Sequence, residues 1–472
     1  MGPNNVTIPS PRADLQATAH QDTVRIRDPL TGQHTLLGPQ SAAIWHALHA
    51  GPHTPCTLQA ALPHFTPARL QARLRQMATS TLLADARFEA QRALLDSPAP
   101  RPLTPPAPTL PKALRHACVR CGASCTAVQA GPVTPATVRA VVASGVWEDV
   151  PGLTAAEQLF EAPGGNPIMA RNGEACVALR DGACALQAGA GDAVKPASCH
   201  QFPYTVTHTP SGPRLSLQVE CRQLLACLDA GAELDAPSVA AQHSHWASEA
   251  GTAFTAPDPL QLAPGLFMPL TRLMPRWDAL IEAEGGLPQA QALVAELIAT
   301  HEAALPAQFW LDDAHWGHPP APDAAAAQTA LWTALSEACA QAAEDAEGAN
   351  LPWTAVRYAR LGRVIETRQS SSPVQTEAPE LTRLRHVAAL ADLAGLEPLR
   401  RRDLQWGIGR LSVMLALGEG WARAQAAEAT RAKMLAQDLN DGLVVASMAL
   451  RSPRLEHAMG VHADTVRQLA RT

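Results

Sequence analysis

The spacing of apolar residues changes character along the chain. Between Thr23 and Leu37, Val24 and Ile26 alternate with arginines, Asp28-Pro29-Leu30-Thr31-Gly32 supplies a turn, and Thr35-Leu36-Leu37 returns. Alternation, turn and return predict a β-hairpin. Ile44, Trp45 and Leu48 within Gln40 to His49 then follow helical spacing, and Thr57 to Leu62 continues with a short apolar helix. Thr66 is placed to cap a third helix with Pro67 at its first position and Leu70, Leu74 and Met77 on one face. A hairpin and three short helices predict a winged-helix-like module over residues 1–96.

Ser97 to Pro111 carries seven prolines and reads as a semi-rigid extended linker over 97–111. Residues 112–235 show short strand-like runs and many glycines. From 236 to 472 the chain turns rich in Ala and Leu with helical period. Leu270, Met274, Trp277 and Ile281 form one stripe, Leu293, Val294, Leu297 and Ile298 another, and Leu411, Met414, Leu415 and Leu443 to Leu450 supply further faces. Breaks are expected at Gly317 to Pro320 and Ser370 to Pro373, and Arg400-Arg401-Arg402 reads as a solvated helix start. The expected fold is mainly α with a small α+β part: the winged-helix-like module, an irregular metal-stapled cysteine-rich domain, and an α-helical C-terminal domain.

Composition removes several alternatives. The 472 residues carry 37 Lys and Arg against 43 Asp and Glu, a net charge of −6. That balance lacks the basic footprint of nucleic-acid binding, and Arg69, Arg73 and Arg75 on the third helix are too few to supply one. No run is long and apolar enough to predict a membrane span. Met1 to Asp22 is polar and broken by prolines, so neither signal peptide nor anchor is expected, and the expected location is the cytoplasm. No Gly-rich phosphate loop, Ser-His-Asp arrangement or HExxH helix is present.

Cysteine usage is the informative feature, because eight of the ten cysteines fall between Cys118 and Cys227. In a reducing compartment such clustering reads as metal ligation more than as disulfides. Cys118, Cys121 and Cys125 share a tight loop eased by Gly122; Cys176 and Cys184 read as the two ends of one hairpin. Cys199 lies in Lys195-Pro196-Ala197-Ser198-Cys199-His200-Gln201-Phe202-Pro203, read as an extended segment. Cys221 follows the strand-like Arg214 to Val219 at a helix start, where a thiolate is favoured. Six residues further on, Cys227 falls about 120° off that helix face. Cys56, Cys339 and Cys227 are therefore read as buried apolar thiols. The candidate ligands are Cys118, Cys121, Cys125, Cys176, Cys184, Cys199 and Cys221, with His116, His200 and His208 nearby. They suffice for one four-thiolate site with three left over, or for two sites, and they suit a structural Zn²⁺ or a 4Fe-4S iron–sulfur cluster equally.

These motifs carry resemblances. The series C-x2-C-G-x2-C, C-x7-C and KPxxCxxFP resembles the YkgJ family of cysteine-cluster proteins, described as zinc- or iron-chelating domains with a CxxCxxCC signature; Ser124 stands where that signature has the first of its paired cysteines. The tail RLSLQVECRQLL and the helical C-terminal region look most like the FliB-like flagellin lysine N-methylases within that family. The N-terminal segment resembles the PqqD-like peptide-recognition fold, which implies that a substrate peptide adds a strand to the sheet edge.

Two functions follow as expectations. One is an enzyme that transfers a methyl group from S-adenosylmethionine to a lysine of a protein or peptide substrate at a cysteine-held cluster. The other is a non-catalytic zinc- or iron-chelating protein whose metal staples the middle domain while its flanks bind a protein partner. The C-x2-C-x3-C order reverses the C-x3-C-x2-C spacing of radical enzymes, so spacing alone gives no support to radical chemistry.

Overall fold

The computed structural model describes residues 6–96, 110, 114–116, 122–126, 130–150, 152–162, 167–173, 175–221, 224, 231–235, 239, 243, 254–308, 323–349, 351–368, 379–394, 396–400, 403–431 and 434–470. Cys118, Cys121, Cys227 and the breaks expected at 317–320 and 370–373 lie outside the described residues, as does the 97–111 linker apart from Leu110.

The N-terminal part begins with an antiparallel meander of β1 (Gln16–His20), β2 (Thr23–Arg27) and β3 (His34–Leu37), in which Val24 faces Leu37 and Ile26 faces Thr35. Val24 and Ile26 are buried while Arg25 and Arg27 are exposed, so the alternation seen in the sequence is the alternation of one covered and one wet face. Helices α1 (Pro39–Ala50), α2 (Pro55–Ala61) and α3 (Pro67–Thr79) cover the sheet with Ile44, Trp45, Leu58, Leu70 and Leu74. The Thr66 hydroxyl accepts from the Arg69 amide, as its capping position requires. Two elements were not foreseen. Strand β1 is exposed at every position and so lacks an apolar rhythm, and helix α4 (Ala86–Asp96) buries only Phe88 and Gln91.

A buried arginine ties this part together. Arg12 donates two parallel hydrogen bonds to Asp28, at 2.9 and 3.0 Å, donates a third to the Thr81 carbonyl, and stacks over Phe88. Asp28 in turn accepts from the Leu30 amide and the Thr31 hydroxyl, which fixes the β2–β3 turn.

The middle part consists of short pieces: β4 (Arg115–His116), a 3-10 turn at Ala123–Thr126, α5 (Pro135–Ala143), β5 (Phe160–Glu161) with β6 (Ile168–Met169), β7 (Arg171–Asn172) with β8 (Ala175–Cys176), β9 (Leu179–Arg180) with β10 (Ala183–Cys184), α6 (Ala185–Ala190) and α7 (Ala197–Gln201). Its own core is small, built around Val141, Leu159, Met169, Ala178 and Leu186. Strands β11 (Tyr204–Thr209) and β12 (Gly212–Leu217) form the longest hairpin here, and β13 (Ala232–Glu233) returns to pair with β4.

Strands continue past residue 236, where only helices were expected. β14 (Phe254–Thr255) lies parallel to β11, and β15 (Leu260–Ala263) turns at Gly265 into β16 (Leu266–Met268). Helices follow: α8 (Leu270–Glu282), α9 (Leu287–Ala303), α10 (Ala324–Gly348), α11 (Pro352–Arg368), α12 (Pro379–Ala394), α13 (Leu404–Glu428), α14 (Ala436–Ala449), α15 (Pro453–Val461) and α16 (Ala463–Gln468). The Leu270, Met274, Trp277 and Ile281 stripe is buried as read from the sequence. Helix α13 is covered nearly all round, burying Trp406, Ile408, Leu411, Met414 and Leu417, and it is the axis of this part. Gly418 and Gly442 let α13 and α14 approach backbone to backbone.

The main apolar core runs without a break from Leu114, Leu217 and Val219 into these helices. Polar contacts reinforce the join: Arg214 pairs with Asp278 at 2.6 Å, Trp277 Nε1 donates to the Leu393 carbonyl, and the Ser216 hydroxyl donates to the Ala391 carbonyl. The fold is thus mainly helical with small, largely antiparallel sheets. Among the described residues no helix is long and apolar enough to cross a membrane.

Candidate metal centre

Gly122, in the left-handed region at φ +64°, turns the chain into the Ala123–Thr126 turn, where the Cys125 amide donates to the Gly122 carbonyl at 2.9 Å. A Cβ at Gly122 would stand 2.7 Å from Leu179 Cδ1 and overlap the Gly182 carbonyl, so the turn lies directly on the β9–β10 hairpin. That hairpin is closed by Asp181 and Gly182, both at positive φ, the Asp-Gly signature of a tight reversal.

The reading of Cys176 and Cys184 as two ends of one hairpin is corrected. Cys176 pairs across to Arg171 in the β7–β8 hairpin, whereas Cys184 pairs with Leu179 in the next. The intervening residues lead from the first hairpin into the second, and both thiols line the same cleft. A second correction concerns Cys199, which sits on the single turn of α7 and not on an extended segment; its amide donates to the Pro196 carbonyl at 2.9 Å. Proline fixes the entry to that turn and does not prevent it, since a helix N-terminus has amides to spare.

Cys125, Cys176, Cys184, Cys199 and Cys221 all line one cleft of about 1000 Å³. Each comes from a different local element. Burial pushes the Cys199 thiol up to about 12, and the thiols of Cys176, Cys184 and Cys125 push in the same direction against the opposing charge of Lys195. Cys176 is likewise raised, by burial first and by Cys184 after the opposing Ala178 amide. Among the described residues no three such side chains stand at metal-binding spacing, and Cys118 and Cys121 lie outside those residues. The donor set nonetheless suits a soft cation: these are sulfur ligands, and the burial and neighbouring thiols that raise Cys176 and Cys199 are penalties that a bound cation relieves.

Cys221 belongs as much to the core as to the cleft. It is buried with Leu217 and Leu224, and its carbonyl accepts from the Leu224 amide. Cys339 is fully buried in the helical core, as expected, and burial holds its thiol at about 12. Cys56 corrects the expectation: it is exposed on α2, because only Pro55 and Leu58 of that short helix face inward.

The histidines fall into distinct places. His116 is buried, lines the cleft, and meets the Tyr204 hydroxyl through Nδ1 at 3.2 Å. Tyr204 stacks on His243 at 4.1 Å between ring centres. Burial lowers His116 and brings His243 down to about 4, with His116 and His200 adding to the latter. His200 donates from Nε2 to the Asp192 carbonyl at 2.8 Å, and His208 sits within β11 opposite Pro213.

The helical part also contributes to the cleft through Glu397, Arg400 and Arg451, with Phe254 from β14. No periodicity or motif announced these residues, which stand far along the chain from the thiols. Arg400 corrects the reading of its run as solvated: its side chain pairs with Glu397 at 2.7 Å and lies over the Phe254 ring. Arg401 and Arg402 lie outside the described residues. Arg451 pairs at 2.7 Å with Glu220, a buried carboxylate that also accepts from the Ser447 hydroxyl. Beneath Glu397, Asp392 borders a small cavity with Arg410; burial pushes its carboxyl up to about 7, with Glu397 and Glu220 adding.

A separate groove of about 510 Å³ runs between β3 and α3, lined by Thr35, Leu36, Leu37, Arg73, Gln76 and Met77. β3 pairs with β2 alone among the described strands, and Leu36 stands 67% exposed beside it. The chain matches no known protein family, no curated protein and no solved structure.

Proposed function

We propose that this chain is a cysteine-cluster metal protein of the YkgJ type whose cleft acts, in the manner of a flagellin lysine N-methylase, on a lysine of a protein or peptide with S-adenosylmethionine as donor. The observation that carries the metal reading is the gathering of Cys125, Cys176, Cys184 and Cys199, from four separate turns and hairpins, on one cleft. With Cys118 and Cys121, which precede Gly122 in the sequence, and with Cys221, they would hold a 4Fe-4S cluster or Zn²⁺. Bound there, an iron–sulfur cluster supplies electron transfer and zinc supplies Lewis acidity.

The chain's own residues contribute the rest. Lys195, held at 3.8 Å from Asp192, brings a positive charge to the thiols. The buried His116 and His243 sandwich the partly buried Tyr204, and His116 and Tyr204 form part of the cleft lining. A methyl transfer needs the acceptor amine deprotonated and aligned in a sheltered site. The edge of β3, paired among the described strands with β2 alone, and the groove beside it fit an extended peptide that adds a strand, with Arg73 and Gln76, hydrogen-bonded to each other at 3.1 Å, lining its path.

The second reading, a structural metal without catalysis, is favoured by one observation. The middle part is built on two-residue strands and a small core, the kind of region that a metal staples. Anaerobic purification followed by iron, zinc and acid-labile sulfide analysis, then methyl transfer from labelled S-adenosylmethionine to peptide lysines, tests both. Metal without methyl transfer leaves the staple.

A further inference from the structure

We infer that the part of the cleft wall supplied by Glu397, Arg400 and Arg451 is a subsite for the α-amino-carboxylate group of a small ligand, the arginines receiving its carboxylate and Glu397 its ammonium. The inference rests on the cleft being the functional site and adds a ligand class to it.

Both guanidiniums are fixed from behind. Glu220, whose side chain is 2% exposed, holds Arg451 at 2.7 Å and is itself held by Ser447, yet Arg451 remains 44% exposed on the cleft. Arg400 is fixed by Glu397 and by the face of Phe254. A buried carboxylate paired with an exposed arginine is a poor device for stability, since apolar packing of the same volume does as well. It is an effective device for holding a planar fork still, and a fork matches a carboxylate with two parallel hydrogen bonds.

Charge decides which anion-bearing ligand fits. Among the described residues, every lysine and arginine lining the cleft already has a carboxylate: Lys195 has Asp192, Arg400 has Glu397, Arg451 has Glu220. A dianionic phosphate would enter against those acids without a surplus of positive charge to receive it. A head group carrying one charge of each sign leaves the balance unchanged and finds both kinds of partner within one wall. The cleft volume accommodates a nucleoside-sized body attached to that head group.

The test compares S-adenosylhomocysteine, which carries the group, with 5′-methylthioadenosine, the same nucleoside thioether without it, by anaerobic titration calorimetry on the full chain. S-adenosylhomocysteine is expected to bind at least about tenfold more tightly, the yield of a charge-assisted hydrogen bond. Arg400→Met and Arg451→Met are expected to abolish that preference while leaving the affinity for 5′-methylthioadenosine unchanged. Arg451→Met strands Glu220 in the core, so Arg400→Met, whose partner is half-buried, decides the matter if the first variant fails to fold. Equal affinity for the two ligands, no saturable binding of S-adenosylhomocysteine, or a preference preserved in Arg400→Met overturns the subsite. Metal content of the same preparations separates the two readings: metal without the preference removes only the subsite, and the preference without metal removes only the metal centre.

Discussion

Gly122 and Gly182 lie so close that a methyl group on the first would overlap the carbonyl oxygen of the second. This contact seats the turn bearing Cys125 on the hairpin that ends in Cys184, and it makes a glycine at 122 a condition of the thiol gathering. Gly122→Ala is expected to unfold at lower denaturant and to lose bound metal. Gly145→Ala is the control, because Gly145 has the same left-handed backbone at φ +69° with nothing nearby. The control is expected to cost about 1 to 2 kcal/mol of backbone strain and to keep its metal.

Substitution of the thiols separates ligands from bystanders. Serine at Cys118, Cys121, Cys125, Cys176, Cys184 or Cys199 is expected to deplete metal and reduce solubility. Cys56→Ser is expected to change neither, since that thiol is exposed on α2 and is not part of the cleft lining. Cys339→Ser is expected to keep the metal but lose about 1 to 3 kcal/mol of stability, the cost of a hydroxyl buried without a partner. Metal analysis with melting curves on the whole series distinguishes the three classes.

Much of the N-terminal module was legible because its chemistry is local: Val24 and Ile26 alternate, Thr66 caps, Pro67 starts a helix, and each acts within a few residues. The thiols were legible as a cluster, yet their elements were not. Cys176 ends one short hairpin and Cys184 ends the next, two hairpins where the spacing suggested one, and Cys199 takes a helical turn within a segment that two prolines made look extended. The Glu397, Arg400 and Arg451 wall left no trace in the sequence, since it exists only when the segments that follow α12 and α14 reach the cleft that Tyr204 and Gln218 also line. Strand β1 was hidden for the opposite reason: with both faces wet, it has no apolar pattern to read.

Asp392 gives the protein a pH signature. Burial, then Glu397 and Glu220, push its carboxyl up to about 7, so the folded chain holds that proton more tightly than the unfolded chain. Its contribution to stability is therefore greatest at low pH and is lost as pH rises between about 4 and about 7. Urea unfolding of the parent chain and of Asp392→Asn across that window isolates this contribution: the stability of the parent relative to the variant is expected to fall as pH rises.

The Arg12 network predicts a local fragility. Removing the guanidinium in Arg12→Met leaves Asp28, 4% exposed, without its bidentate partner. A loss of roughly 3 to 5 kcal/mol is expected, the cost of stranding one member of a buried ion pair. Asp28→Asn, which keeps a polar partner for Arg12, is expected to cost less in the same urea titration.

The thiols that two turns and two hairpins bring to one cleft are expected to bind metal, and the direct measurement is iron, zinc and acid-labile sulfide per chain on protein purified without oxygen. About four iron with about four sulfide, or at least about one zinc without sulfide, is the predicted result. Well-folded protein carrying neither metal, and unchanged in stability by Cys199→Ser, would contradict it.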